Sequence, residues 1–421
     1  MRICVYEDHR TADLGPLTLT RPAADLLCGL TSLGEKQARH FAAGEVGYLC
    51  RPELADLIRA RDPRAAVNDP AWLRAGPTVL VNARWLAPAD TTKLPAAPFV
   101  GLCDGEVAFA VLDARRLHAV TPATVADCLA DWAQALPTGD AGGCLIRYPW
   151  ELVEHNADQI ARDFEATGTP SPGPLPAGFA LVGPAERLFI HPSATVEPMV
   201  VADTTGGPVW VGPGAVVTAF TRLEGPCAVG AGTHLNGARI RAGTTLGPHC
   251  RIGGEVECSI VQGFSNKSHD GFLGHSYVGE WVNLAAGTAT ADLRFDYRPI
   301  SVRVGDGIVS TGRTKVGSAI GDHARAGLGV LLDCGSTVGA FATVLPTGTL
   351  APRAVPSFTR YGPAGFAPVE DVDVALAAAD IMMRRRGRVL TPALRAVYRA
   401  VAGRPAEVAR PVVGPALRKT A

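Results

Sequence analysis

VWVGPGAVVTAFTRLEGPCAVGAGTHLNGARIRAGTTLGPHCRI, running from Val209 to Ile252, decides how this chain folds. Within it Val211, Val217, Leu223, Val229 and Leu235 are spaced by six without a slip, and after a one-residue deletion Ile240, Leu246 and Ile252 continue the series. Phe272, Val278 and Leu284 resume it, and Ile320, Ala326, Leu332, Val338, Val344 and Leu350 finish it. Glycine often follows the aliphatic residue, and small residues recur four positions after it, as at Ala215, Thr233 and Ser336. Six residues make one short strand and one corner, and three such units close a triangular coil of about eighteen. The aliphatic side chains point inward and stack from coil to coil, while glycine and small polar residues suit the corners. The spacing predicts a left-handed parallel β-helix over residues 180–366. Residues 254–271 and 288–315 break the phase and are expected as extruded loops or irregular coils, the usual seat of function on a rigid scaffold.

Outward from the repeat the pattern changes. Residues 1–166 read as α/β: apolar strands at Ile3–Tyr6 and Thr78–Leu86 alternate with helical patterns, and Leu152, Val153, Asn156, Ile160 and Phe164 share one face of a helix. TGTPSPGPLPAGF, residues 167–179, reads as a Pro/Gly linker. From 367 to 421 the chain is Ala-rich and helical, and Arg384, Arg385 and Arg386 are expected on a solvated face.

Composition narrows the function classes. Gly (47) and Pro (33) make about 19% of the chain against an average of about 12%, which suits short strands and tight corners. Lys plus Arg equals Asp plus Glu at 40 each, without the basic excess of a nucleic-acid or membrane-surface binder. No run of eighteen apolar residues is present, and MRICVYEDHR lacks the apolar stretch of a signal peptide, so a cytoplasmic location is expected. Ten scattered cysteines without a CxxC pair read as free thiols in a reducing compartment.

Two stretches resemble a known family. LGHSYVGEWVNLAAGTATADLRFD, followed by STGRTKVGSAIGDH, resembles the acetyltransferase half of the bifunctional N-acetylglucosamine-1-phosphate uridylyltransferase/glucosamine-1-phosphate acetyltransferases, the archaeal members above all. LGPLTLTRPAADLL looks like the first motif of sugar-1-phosphate nucleotidyltransferases, and with SNKSHDGFLGHSY the set is similar to a divergent bacterial branch of those enzymes. The resemblance implies an α/β nucleotidyltransferase-like domain, a β-helix using acetyl-CoA, sugar phosphates or nucleotide-sugars as substrates, and a homotrimer with sites between adjacent prisms.

Carried over position by position, the resemblance puts His269 on the family's general base, since a histidine titrates near working pH and can take a proton from an attacking amine. Asn283 keeps the asparagine of VN-x-x-AGT and is implied to bind the sugar. Phe272 stands where the family has tyrosine, and Asp292 where it has asparagine near the acetyl group. Glu257 replaces the phosphate-binding lysine, leaving Lys267 or Arg241 as substitutes. Asp292, Arg313 and Lys315 are the residues expected beside acetyl-CoA. Two other readings stay open. His269 is an ordinary loop histidine in the first, and in the second His234, His269 and His275 hold zinc. One subunit cannot bring His269 and His275 to one ion, because they are six apart and lie on different sides of the prism, which leaves a trimer interface as the place for such an ion.

The first motif is altered. Its phosphate loop, EDHRTADLG, has no glycine before Gly15 and carries Glu7, Asp8 and Asp13, expected to repel phosphate. Ala23 stands where the family has its catalytic lysine, and the metal-binding aspartate is replaced within Asn82-Ala83-Arg84. Arg21 and Lys36 remain as phosphate partners, with an equally open structural reading for Arg21 and a solvated-helix reading for Lys36. Mg2+ with a nucleoside triphosphate is the cofactor pair this motif implies; no other metal is expected. The expectation is a transferase whose β-helix moves acetyl groups; the alternative is a trimer that binds or regulates without chemistry.

Overall fold

A computed structural model describes residues 1–88, 94–95, 97–168 and 175–404. The expected linker falls in part on 169–174, and the end of the expected tail on 405–421, outside the described residues.

The first 166 residues build a seven-stranded mixed sheet, in the order Thr138–Asp140, Phe99–Cys103, Glu106–Leu112, Thr78–Asn82, Arg2–Tyr6, Glu45–Leu49, Ala66–Val67. Arg2–Tyr6 lies centrally, parallel to both of its neighbours. Its residues Ile3 to Tyr6 are buried on both faces, as a continuous apolar run in a covered parallel strand requires. The helix Pro149–Ala166 closes this unit and buries Leu152, Val153, Asn156, Ile160 and Phe164, the face read from the sequence.

Beyond it the chain winds into a three-sided parallel β-helix. One side stacks Val211, Val229, Leu246, Val261, Val278, Ile320, Val338 and Val355 in register. A second stacks Val217, Leu235, Ile252 and Lys267, then Leu284, Ala326 and Val344. The third carries Leu223, Ile240, Val256 and Leu273, then Thr290, Leu332 and Ala351. The aliphatic members of these stacks form one continuous core.

Several expectations are corrected here. Residues 254–271 are not extruded; they form strands Arg251–Glu257, Ile260–Gly263 and Asn266–Lys267 within the prism. A coil shortened by bulges, with lysine at one inward position, hid its phase. Phe272 lies outside and Leu273 points in, paired with Val256. Leu350 is 50% exposed and Ala351 takes the inward place, because the corner before it holds one extra residue. The second excursion leaves the prism after Ala289–Thr290 and folds as the hairpin Ser301–Val304/Gly307–Ser310.

Corners also differ from the expectation of small residues. One edge carries His249, Phe264, Trp281, His323, Phe341 and Phe358, all with φ between 50° and 61°. Their rings stack from coil to coil, with centroids 4.4–6.2 Å apart, and this contact offsets the left-handed backbone. Helices Val372–Arg384 and Pro392–Ala402 cover the upper part of this edge through Leu376, Met383, Leu390, Tyr398 and Val401. Arg386 is not a solvated-face residue: its guanidinium donates to the His249 carbonyl and to Asn266 Oδ1, both at 2.7 Å. Val397 packs instead on Leu54 and Ile58 of the N-terminal unit, so the last helix touches both halves.

Candidate active site

The corner Ser268–Gly271 follows the strand Asn266–Lys267. His269 stands on it, exposed, and its imidazole has no hydrogen bond or ion pair with another described residue. Its own carbonyl accepts from Lys267 Nζ at 2.9 Å, and the next corner donates from the Gly287 N–H to the Asp270 carbonyl at 2.9 Å. Asn283 lies one coil on, in register between Asn266 and Arg325 on the outward side. His234, Arg251, Asn266, Asn283 and Arg325 therefore form one polar outer row. Arg325 is exposed and its guanidinium is unpaired among the described residues. Sequence reading missed it; the coil period would have revealed it, since residues one coil apart are neighbours.

Lys267 is corrected from substrate ligand to interior residue. It is 3% exposed and donates inside the prism to the Gly253 and His269 carbonyls. Arg241, the other substitute, is engaged by Glu224, Glu255 and Glu257. Asp292 is corrected as well. It accepts from His275 Nδ1 at 2.7 Å instead of facing a cofactor. Burial disfavours the imidazolium of His275, but the bond to Asp292 and the neighbouring Cys258 outweigh it and raise its pKa to about 9. At neutral pH His275 is therefore a cation that cannot accept a proton. The two residues are seventeen apart, one coil, which is why they meet.

Arg313 and Lys315 sit on the returning limb of the excursion, half-exposed. Arg313 pairs with Glu154 at 3.1 Å and Lys315 with Glu257 at 3.6 Å. Such surface pairs contribute little to stability, and both cations stay open to solvent, where an anion can reach them. His234 lies on the side that ends at the His269 corner while His275 follows the next side, and among the described residues no group of three or more His, Cys, Asp or Glu could hold a metal ion.

At the carboxyl edge of the N-terminal sheet the acids of the phosphate loop do not stand free, contrary to expectation. Asp8 accepts from Arg84 at 2.5 and 2.8 Å and from Asn82 at 2.9 Å, and Glu7 from Arg51 at 3.0 Å. Arg84 is fully buried. Burial raises the Asp8 pKa, but the Arg84 bond and charge prevail and hold the carboxyl below its ordinary value. A guanidinium thus fills the place where the family's Mg2+ would need open carboxylate oxygens, so the residues present do not fit Mg2+ with a nucleoside triphosphate. The loop itself is the short helix His9–Leu14 and lacks the glycine-rich cradle.

Arg21 and Lys36 are corrected to structural roles. Arg21 ties the two units together, to Asp322 at 2.5 Å and Glu280 at 3.3 Å, and Thr20 donates to Asp322 at 2.6 Å. Lys36 is buried against Asp163, which Arg39 also meets at 2.7 Å; burial lowers the Lys36 pKa. Tyr277 and Gln262 of the prism further engage the Leu27 backbone. A cavity of about 430 Å³ remains between the loop Asp8–Leu19, the coils around Thr337 and Ser357, and the last helix at Val401.

Residues 3–169 match the sugar nucleotidyl transferase family. The N-terminal unit thus matches that family, and the chain has relatives among bifunctional nucleotidyltransferase/acetyltransferase proteins. A bifunctional sugar-1-phosphate nucleotidylyltransferase/acetyltransferase of Sulfurisphaera tokodaii is 38% identical over 109 residues, 25% of this chain and 27% of that protein. The bifunctional protein GlmU of Stenotrophomonas maltophilia is 27% identical over 339 residues, 75% of this chain and 63% of that protein. An uncharacterised acetyltransferase of Escherichia coli, YaiX, is 29% identical over 163 residues, 38% of this chain and 68% of that protein. The match to the first of these relatives spans about a quarter of its length.

Proposed function

We propose that this protein is an acetyltransferase acting on a phosphorylated or nucleotide-linked sugar at the outer edge of its β-helix, with a nucleotidyltransferase domain that has given up metal-dependent transfer. The observation that carries the reading is His269, an exposed imidazole with no side-chain partner among the described residues, on the corner beside a polar row that holds Asn283 and Arg325. Acetyl-CoA supplies the acetyl group as a thioester. Asn283 orients the sugar hydroxyls, and Arg325 pairs with a phosphate oxygen of the substrate. As the substrate amine or hydroxyl attacks the thioester carbonyl and the C–S bond breaks, His269 would take the proton of the attacking group and return it to the departing sulfur. Arg313 and Lys315 hold the phosphates of the coenzyme. His275, already cationic, is unsuited to be the base and favours anionic groups nearby.

A homotrimer supports this chemistry, because an exposed corner residue needs a second wall to exclude water. Leu328, Leu331 and Leu350 are 69%, 41% and 50% exposed along the adjoining side, an apolar strip for a neighbouring prism. A second reading concerns the N-terminal unit alone. The cavity of about 430 Å³ that its Asp8–Leu19 loop shares with the prism and the last helix is within the range of small-molecule pockets and favours binding a ligand without transforming it. The test is incubation with acetyl-CoA and a panel of amino-sugar and hydroxy-sugar phosphates and nucleotide-sugars, read by mass spectrometry for acetylated product. Absence of both product and free coenzyme A across the panel would remove the acetyltransferase reading and leave the binding one.

A further inference from the structure

Charge is costly inside a stacked prism, and the inward positions around Lys267 are filled by Ile252, Leu284 and Leu273. Lys267 nevertheless occupies an inward place, with its ammonium enclosed and donating to two backbone carbonyls, Gly253 at 3.0 Å and His269 at 2.9 Å. No carboxylate bonds to it among the described residues. Burial lowers its pKa to about 8, despite the opposing charge of Asp270. A methionine or leucine would fill the same volume without that cost.

The corner is built around the ammonium. A Cβ added at Gly254 would lie 2.8 Å from Lys267 Nζ, and φ there is +67°. At Gly271 a Cβ would come 2.1 Å from the Thr288 carbonyl, so the chain passes tightly on the other side as well. Between these glycines the backbone of His269 is held from inside by Lys267 and, one residue on, from the next coil by Gly287.

We propose that Lys267 is a positioning residue for acetyl transfer: by holding the His269 carbonyl from within the prism, it fixes the direction in which the imidazole leaves the corner. This rests on the reading of His269 as the base. The lysine does not touch substrate; it acts through the backbone of the residue that does. A charge that weakens the core is kept because no aliphatic side chain can donate to the two carbonyls that set the corner.

The experiment compares wild-type protein with Lys267→Met and Lys267→Gln, the second keeping an N–H donor on a side chain one atom shorter. Three readouts are taken: melting temperature, kcat and KM for acetyl transfer, and imidazole 1H–15N spectra assigned to His269 by its own substitution. In Lys267→Met the melting temperature is expected to hold or rise. Its kcat should fall about 10–100-fold with KM for acetyl-CoA nearly unchanged, because misplacing a reacting group costs rate more than binding. The His269 resonance should broaden or split, and Lys267→Gln should recover part of kcat. Wild-type kcat and an unchanged His269 resonance in both variants would overturn the proposal. If wild-type protein transfers no acetyl group, the function reading fails by itself and the spectra decide the role of Lys267 in placing the imidazole. Should Lys267→Met not fold, Lys267→Leu takes its place, and wild-type kcat with an unchanged His269 resonance in that variant overturns the proposal.

Discussion

The corner at His269 and the sheet edge at Asp8 are the two places where this chain resembles a transferase, and they treat charge in opposite ways. His269 on the corner and Arg325 on the adjoining row face solvent without side-chain partners among the described residues. At the sheet edge, Asp8 is taken by Arg84 and Asn82, and Glu7 by Arg51. Groups that bind or transfer must be available to a ligand; groups that satisfy each other stabilise the fold and stop there. The contrast teaches that a fold alone does not say which of its charged groups are open to a ligand, and that hydrogen-bond partners tell the two cases apart.

The largest expected effect sharpens the contrast by striking the scaffold of the first region. Val338→Asp buries an unpaired carboxylate between Ile320 and Val355 and should cost upwards of about 4 kcal/mol, read as loss of the cooperative thermal transition. A stably folded variant would mean that the stack tolerates charge, and the prism would then be a poor frame for the site. His269→Ala should lower acetyl transfer by roughly 10²–10⁴-fold with the melting temperature unchanged, since the side chain holds nothing in place. Equal rates in the variant would erase the difference between the two regions.

Arg84→Ala probes the other side of the comparison. Removing the guanidinium leaves Asp8 uncompensated and should cost about 3 kcal/mol in chemical denaturation. Mg2+ should raise the melting temperature of this variant and leave that of the wild type alone, if Arg84 stands where a metal would. Calorimetry of wild-type protein with uridine or thymidine triphosphate and Mg2+ should show no binding; a micromolar dissociation constant with release of pyrophosphate would show that the sheet edge is still active.

The smallest effect lies between the two regions. The folded pKa of His275 is raised to about 9 from 6.5, so its pair with Asp292 stabilises fully below pH 6.5 and loses that contribution as pH rises through about 9. The stability difference between wild type and His275→Gln should therefore shrink, by an amount on the order of 2–3 kcal/mol, between pH 6.5 and 9.5. A difference that does not vary with pH would mean that the pair is not ionic.

The hexad spacing made eighteen-residue coils legible because each inward residue meets its counterpart one coil away, and only aliphatic side chains suit that stack. The same rule concealed Lys267, whose polar side chain interrupts the pattern while its backbone keeps the register. One-residue slips at Phe272 and Leu350 were invisible for a related reason: both neighbours in each pair, Phe272 with Leu273 and Leu350 with Ala351, are apolar, and only strand pairing tells which points in. The aromatic edge from His249 to Phe358 broke the rule of small corners because stacking between coils offsets the left-handed backbone, and a single corner does not reveal its neighbours.

By itself the sequence determined the periodic prism, the α/β character of the first 166 residues and the exposed polar setting of His269, since these follow from local spacing and residue type. Tertiary structure alone decided the partners of charges. It placed Arg21 on Asp322, 301 positions away, Arg84 on Asp8 and His275 on Asp292. A charged side chain reads alike in sequence whether it awaits a ligand or is already paired. The choice depends on which distant strand folding brings within hydrogen-bond reach.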